Sequence, residues 1–185
     1  VSNVTITTAV SHTWIGDLDF LLYAPGGSPF LTMLHRPGGT GTGVGDSSNM
    51  ASTSPLLFTD ASGDPAETMG NTLTTSQVVC QDDGRCAYSP SPDGYTGSLA
   101  NFAGFAGLAS NGTWQFCAAD NAAADTGTVA SVTLNLTCAT APTATPTNTP
   151  VPPTATPTDM PAPPTATATP TPTPGSPTGV ELSSL

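Results

Sequence analysis

The chain has 185 residues, enough for one domain of ordinary size plus additional sequence. Thirteen acids face only Arg36 and Arg85, lysine is absent, and the formal net charge is −11. So acidic a chain repels phosphate backbones and anionic membrane surfaces, which excludes nucleic acid as a partner, and no apolar run approaches the ~20 residues of a membrane-spanning helix.

Eleven of the thirteen acids are Asp. Asp suits turns, where its carboxylate bonds the local backbone, and it is a common ligand of hard cations. Without lysine and with little Glu, the good exposed helix formers are nearly missing, so helices are not expected. Thr, Ser, Gly, Ala and Val abound instead, and point to short β-strands joined by Gly- and Asp-rich loops.

The predicted strands begin at "VTIT" (Val4 to Thr7), with Val4 and Ile6 on one face. Next, "SHTWIGDLDFLLYAPGG" (Ser11 to Gly27) sets a histidine and two aspartates beside an alternating run with Leu18, Phe20 and Leu22 on one side. "PFLTML", "PLLFTD", "SQVVC", "TWQFCAAD" and "SVTLNLT" complete the series, the last with Val132, Leu134 and Leu136 on one face. Between them lie "PGG", "RPGGTGTGVGDSSN", "SGDP", "SPSPDG" and "NAAADTG", all dense in turn residues. Strands at this spacing predict an all-β, jelly-roll-like β-sandwich over residues 1–140. Its expected large core residues are Trp14, Phe20, Phe58, Phe102, Phe105, Trp114 and Phe116.

Cys80, Cys86, Cys117 and Cys138 form an even set with no CxxC, which suggests an oxidising compartment and two disulfides rather than a zinc site. Three connectivities are open. Cys80–Cys86 is the local choice and leaves Cys117–Cys138, a pair whose strand parity differs and which needs a bulge or a frayed strand end.

Composition shifts after Cys138. Residues 142–177 hold 13 of the 20 prolines, and "PTAT" recurs at Pro142, Pro153 and Pro164. Prolines this dense cannot join a ladder or a helix, so residues 141–178 are expected to be a disordered linker of polyproline II character, extending ~3.1 Å per residue. Residues 179–185 are read as the start of a further segment or a C-terminal remnant. The first residue, Val1, stands inside an alternating strand pattern, and the chain is expected to be a fragment of a larger secreted or cell-surface protein.

Catalytic readings find little footing. There is no GxSxG elbow, and "SSNMAS" lacks the glycine that makes room for an oxyanion hole. "DTG" (Asp125 to Gly127) occurs once, whereas aspartic protease chemistry needs two such aspartates sharing a proton, so a plain turn is expected. His12 and His35 read as strand-edge histidines. Asp17, Asp19, Asp46, Asp60, Asp120 and Asp125 sit at loops or strand ends, where flexible Gly/Asn/Asp segments could supply the 6–8 oxygens Ca²⁺ takes, although no EF-hand spacing is present.

The stretch from His12 to Gly27 resembles the signature of the P domain (Homo B domain) of subtilisin/kexin-like proprotein convertases and their bacterial secreted relatives, a pattern close to H-T-x-x-G-D-L-x-[IVF]-x-L-x-x-P-x-G. His12, Thr13, Gly16, Asp17, Leu18, Phe20, Leu22, Pro25 and Gly27 fall on it. "LLFTDAS", "SLANFAG" and "NGTWQFCAADNAAADTGTVASVTLNL" are similar to later segments of that family, in the same order across residues 1–138. The resemblance implies a jelly-roll-type sandwich, C-terminal to a subtilisin-like serine endopeptidase domain that it stabilises and whose calcium dependence it tunes. It implies no catalysis by this fragment, a DTG turn before the last strand, and Asp17, Asp60, Asp120 and Asp125 as the Ca²⁺ ligands. Family members usually have a strand or two before the position of Val1, so the N-terminal edge of the sandwich is expected to be incomplete. A reading of another class is a free-standing adhesion or carbohydrate-binding jelly roll on a surface protein.

Overall fold

A computed structural model describes residues 1–38 and 45–139. The expected linker (141–178) and the terminal segment (179–185) lie outside the described residues, as does part of the long Gly-rich loop.

Among the described residues seven strands form two sheets: β1 (Asn3–His12), β2 (Leu18–Tyr23), β3 (Phe30–His35), β4 (Leu56–Phe58), β5 (Ala87–Tyr88), β6 (Gln115–Asp120) and β7 (Gly127–Thr137). The first sheet has the order β5-β4-β1-β7 and the second β3-β2-β6. All neighbours are antiparallel except β4 and β5. The only helical pieces among the described residues are three 3₁₀ turns, at Ile15–Asp17, Ala66–Thr68 and Phe102–Phe105. The protein is therefore all-β and sandwich-like, as its β-branched, lysine-free composition dictates.

Alternation places the core. Val4, Ile6, Thr8 and Val10 of β1 point inward, facing Phe20 and Leu22 of β2, and all are buried. Phe20 meets Phe58 edge-on across the sheets at 6.1 Å. Phe58, Phe102 and Phe105 are buried as expected, but Trp14, Trp114 and Phe116 are only half-buried. The largest fully buried side chain is Tyr88, on the two-residue β5 that the sequence pattern does not reveal. "SQVVC" is not a strand. Ser76 and Cys80 take φ values of 75° and 71°, a left-handed backbone that breaks a ladder, and Val79 reaches the core from a turn.

Cys80 and Cys86 are disulfide-bonded, with Cα atoms 4.5 Å apart. The second expected bridge is corrected: Cys117 and Cys138 are free and exposed. Cys117 pairs with Leu21 on the face of the second sheet turned away from the core, whereas Cys138 follows β7 in the first sheet. The two cysteines therefore belong to different sheets, and the outward parity of Cys117 on β6 turns its thiol away from the first sheet.

Candidate functional site: the carboxylate end of the sandwich

The loop from β6 to β7 and the turn after β1 meet at one end of the sandwich. Gly16 sits in that turn directly against the backbone of Gly45 and Asp46, its N–H donating to the Asp46 carbonyl at 2.9 Å. A Cβ at Gly16 would lie 2.5 Å from Asp46 N, so only glycine fits this close approach. The turn places Asp17 inside, 3% exposed, while its main-chain carbonyl accepts the Asn121 amide at 2.8 Å and the Asn121 side chain at 3.1 Å. The Asp17 carboxylate lies 3.8 Å from the Arg36 guanidinium, whose Nε also donates to the Gly16 carbonyl at 3.2 Å.

Asp120 ends β6 and accepts from His12 Nε2 at 3.2 Å and from the Ala122 amide at 3.2 Å. His12 is buried, with its Nδ1 3.1 Å from the Trp14 amide and 2.8 Å from the Trp14 carbonyl. A neutral ring accepts from that amide while Nε2–H donates to Asp120, and a protonated ring donates to the carbonyl instead, so either form is satisfied. Asp125 accepts from the Thr13 hydroxyl at 2.7 Å. The "HT" of the opening signature therefore ties β1 to the β6–β7 loop through two hydrogen bonds to carboxylates. That is a structural task for the strand-edge His12.

The electrostatics of the neighbouring acids run in opposite directions. Burial, and then the charges of Asp120 and Asp125, push the Asp17 carboxyl up, with Arg36 and His12 opposing. The His12 bond, helped by the Ala122 amide, pulls Asp120 down. Asp17, Asp120 and Asp125 thus share one electrostatic neighbourhood.

The carboxylates of the other candidates are engaged elsewhere. Asp60 accepts from the amides of Phe102 and Ala103 at 2.9 and 2.8 Å, capping the third 3₁₀ turn from across the chain. Asp46 folds back on Ser48, accepting from its amide at 2.8 Å and its hydroxyl at 2.6 Å. Asp19, 1% exposed on the outer face of the second sheet, is held by His35 Nδ1 at 2.9 Å and Tyr95 OH at 2.6 Å. That bond first, and then burial, push the Tyr95 hydroxyl up to about 12.

Among the described residues, no three His, Cys, Asp or Glu side chains converge closely enough to hold a metal ion. The four-carboxylate set therefore does not fit a calcium centre in this conformation: Asp60 is committed to a distant turn, and each of the other three already has its own partner. Arg36, which the sequence reading did not place here, is the cation that this end already holds; a lone arginine two residues after a predicted strand carries no signal of that.

The chain matches no known family model, no curated protein and no solved structure. Among the described residues, no helix is long and apolar enough to cross a membrane.

Proposed function

We propose that residues 1–140 are a non-catalytic accessory module of the P-domain type, a jelly-roll sandwich in a secreted protein whose partner is a subtilisin-like serine endopeptidase domain of the same parent chain. The observation that carries this reading is the segment from His12 to Leu22. Its residues have definite physical tasks: His12 bonds Asp120, Gly16 permits backbone contact with Asp46, and Leu18, Phe20 and Leu22 fill the core. A module of this kind acts by packing against and stabilising its neighbour, and it needs no reactive group of its own. The test is genetic and then biochemical. A reading frame that joins this chain to the Asp, His and Ser motifs of a subtilase, and loss of protease half-life when residues 1–140 are deleted, would support it. A parent chain without those motifs would sink it.

Calcium belongs to this proposal for Asp17, Asp120 and Asp125 only. A divalent cation among them would relieve the burial and repulsion that raise Asp17, provided that the Arg36, His12 and Thr13 contacts give way. Millimolar Ca²⁺ over a micromolar site would add ~4 kcal/mol of stability. A melting temperature unmoved by Ca²⁺ or EDTA would remove calcium from the account while leaving the accessory role intact.

A further inference from the structure

On the outer face of the first sheet, where β1 ends and β7 begins, three segments enclose a groove. Ser11 and Thr128 are β1–β7 partners there, on the parity opposite to the inward row of Val4, Ile6, Thr8 and Val10. Residues 49–51 run along the other side of β1, His12 and Met50 exchanging backbone hydrogen bonds at 3.0 and 2.9 Å. Val78 comes next: the Asn49 amide donates to the Gln77 carbonyl at 2.7 Å, and the Val79 amide to the Asn49 carbonyl at 3.0 Å. The cavity so formed has a volume of about 420 Å³, within the size range of small-ligand sites. Main-chain bonds hold its walls, so its shape does not wait for a ligand.

The lining is neutral. Among the described residues no Asp, Glu, Lys or Arg contributes to it, although the chain carries thirteen acids. The nearby carboxylates of Asp120 and Asp125 are taken up by the buried His12 and by the Thr13 hydroxyl. Ala51 and Val78 supply a half-buried apolar wall. Around it stand groups that hydrogen-bond without charge. Ser11 Oγ accepts from the Ser52 amide at 2.9 Å and keeps its own proton to donate. Among the described residues, the half-buried Asn49 side-chain amide and the exposed Thr126 and Thr128 hydroxyls make no hydrogen bond. An amide partly withdrawn from water and left without a partner gains from any neutral hydroxyl brought to it.

We propose that this groove binds a neutral saccharide, a use that does not depend on the protease partner proposed above. A pyranose ring presents C–H groups on its faces and hydroxyls around its rim, which matches an apolar wall ringed by uncharged donors and acceptors. An anionic ligand would find no cation in the lining and an excess of acids around it, and a cationic ligand no free carboxylate to pair with. An extended peptide docks by adding to a sheet edge, whereas this groove lies on a face where β1 has already made its main-chain bonds to Met50 and to β7. A strand that pairs along the outer edge of β7 leaves this face open, so the groove is separate from that edge. With no aromatic ring in the lining to stack on the sugar, binding is expected to be weak.

The test is an amide NMR titration of the full chain with cellotetraose, maltotetraose and chitotetraose, each to about 20 mM, beside an oligogalacturonate as the anionic probe. The expected result is saturable shifts at residues 49–51, 78 and 126–128 with at least one neutral sugar, at a Kd of about 1 mM, and none with the anion. Asn49→Ala removes the amide without breaking a side-chain bond among the described residues, and should weaken binding about fivefold or more. Thr128→Ala carries the same direction of effect should Asn49→Ala fold poorly, and Thr137→Ala, at the far end of β7, should change nothing. Absence of groove shifts with all three sugars, shifts centred elsewhere, indifference to Asn49→Ala and Thr128→Ala, or equal binding of the anion would each overturn the proposal. So would groove shifts from a neutral Thr/Pro peptide with none from the sugars, which would assign the groove to a protein partner.

Discussion

The two sides of this sandwich are built from the same alternating strands, yet one is closed and the other open. On the closed side, β5 is extended by the disulfide loop, whose Cys86 carbonyl accepts the Leu57 amide at 2.8 Å. There β3 is covered by the segment after β5, through Ser91 N to Met33 O at 3.2 Å, Leu99 N to Phe30 O at 2.8 Å and Thr32 N to Ser98 Oγ at 2.8 Å. On the open side no described residue pairs with the outer edge of β6 or β7, and most of their inward side chains are only half-buried. An alternating strand buries its apolar face only when something also lies beyond its edge, so strand pattern alone does not guarantee a core.

Large-to-small substitutions should separate the two sides most clearly. Phe20→Ala removes a fully buried ring that touches both Phe58 and Phe116, and should cost about 3–5 kcal/mol in urea unfolding. Phe116→Ala, across the same sheet but half exposed, should cost less than half of that. Equal losses would mean that the open side is covered in solution. The disulfide comes next. It closes a short loop, so the Cys80→Ala/Cys86→Ala pair should lose about 2 kcal/mol, together with faster amide exchange at Leu57. Removing the free thiols of Cys117 and Cys138 should leave stability unchanged, and a loss comparable to that of the Cys80/Cys86 pair would contradict their unpaired state.

Asp60→Ala should cost about 1 kcal/mol by stripping the 3₁₀ turn at Phe102–Phe105 of its cap, with no change in any Ca²⁺ response. An altered Ca²⁺ response would return Asp60 to the ligand set.

The smallest effects concern pH and set Asp17 against Asp120. Folding raises the Asp17 value, so its proton binds the folded chain more tightly; that stabilisation is present at acid pH and is lost as pH rises through the raised folded value. Folding lowers the Asp120 value, so its contribution is present above the ordinary carboxylate range and is lost as pH falls through the folded value. Melting temperatures between pH 3 and 7 should therefore show Asp17→Asn gaining on the wild type as pH rises. Asp120→Asn should fall behind over the same rise. Parallel curves for both variants would refute the opposed electrostatics of this loop.

Much of the architecture was legible in the sequence because alternation and turn chemistry are local. Leu18, Phe20 and Leu22 announce a buried strand, and "SVTLNLT" announces most of β7. The short β5 was not legible: two residues carry no periodicity, and Tyr88 is buried by what surrounds it. Nor was the failure of "SQVVC", where left-handed backbone at Ser76 and Cys80 interrupts a strand-like composition.

The candidate site divides in the same way. The sequence alone determined that acidic residues would populate loops and strand ends, because side-chain chemistry acts within a few residues. Which carboxylate meets which partner was a tertiary matter. Asp120 and His12 are 108 positions apart, Asp60 and Phe102 are 42 apart, and Arg36 reaches Asp17 only because the β2–β3 hairpin returns it there. The open edge beside β7 was decided at that level too, since exposure depends on what the rest of the fold places beyond a strand and not on the strand itself.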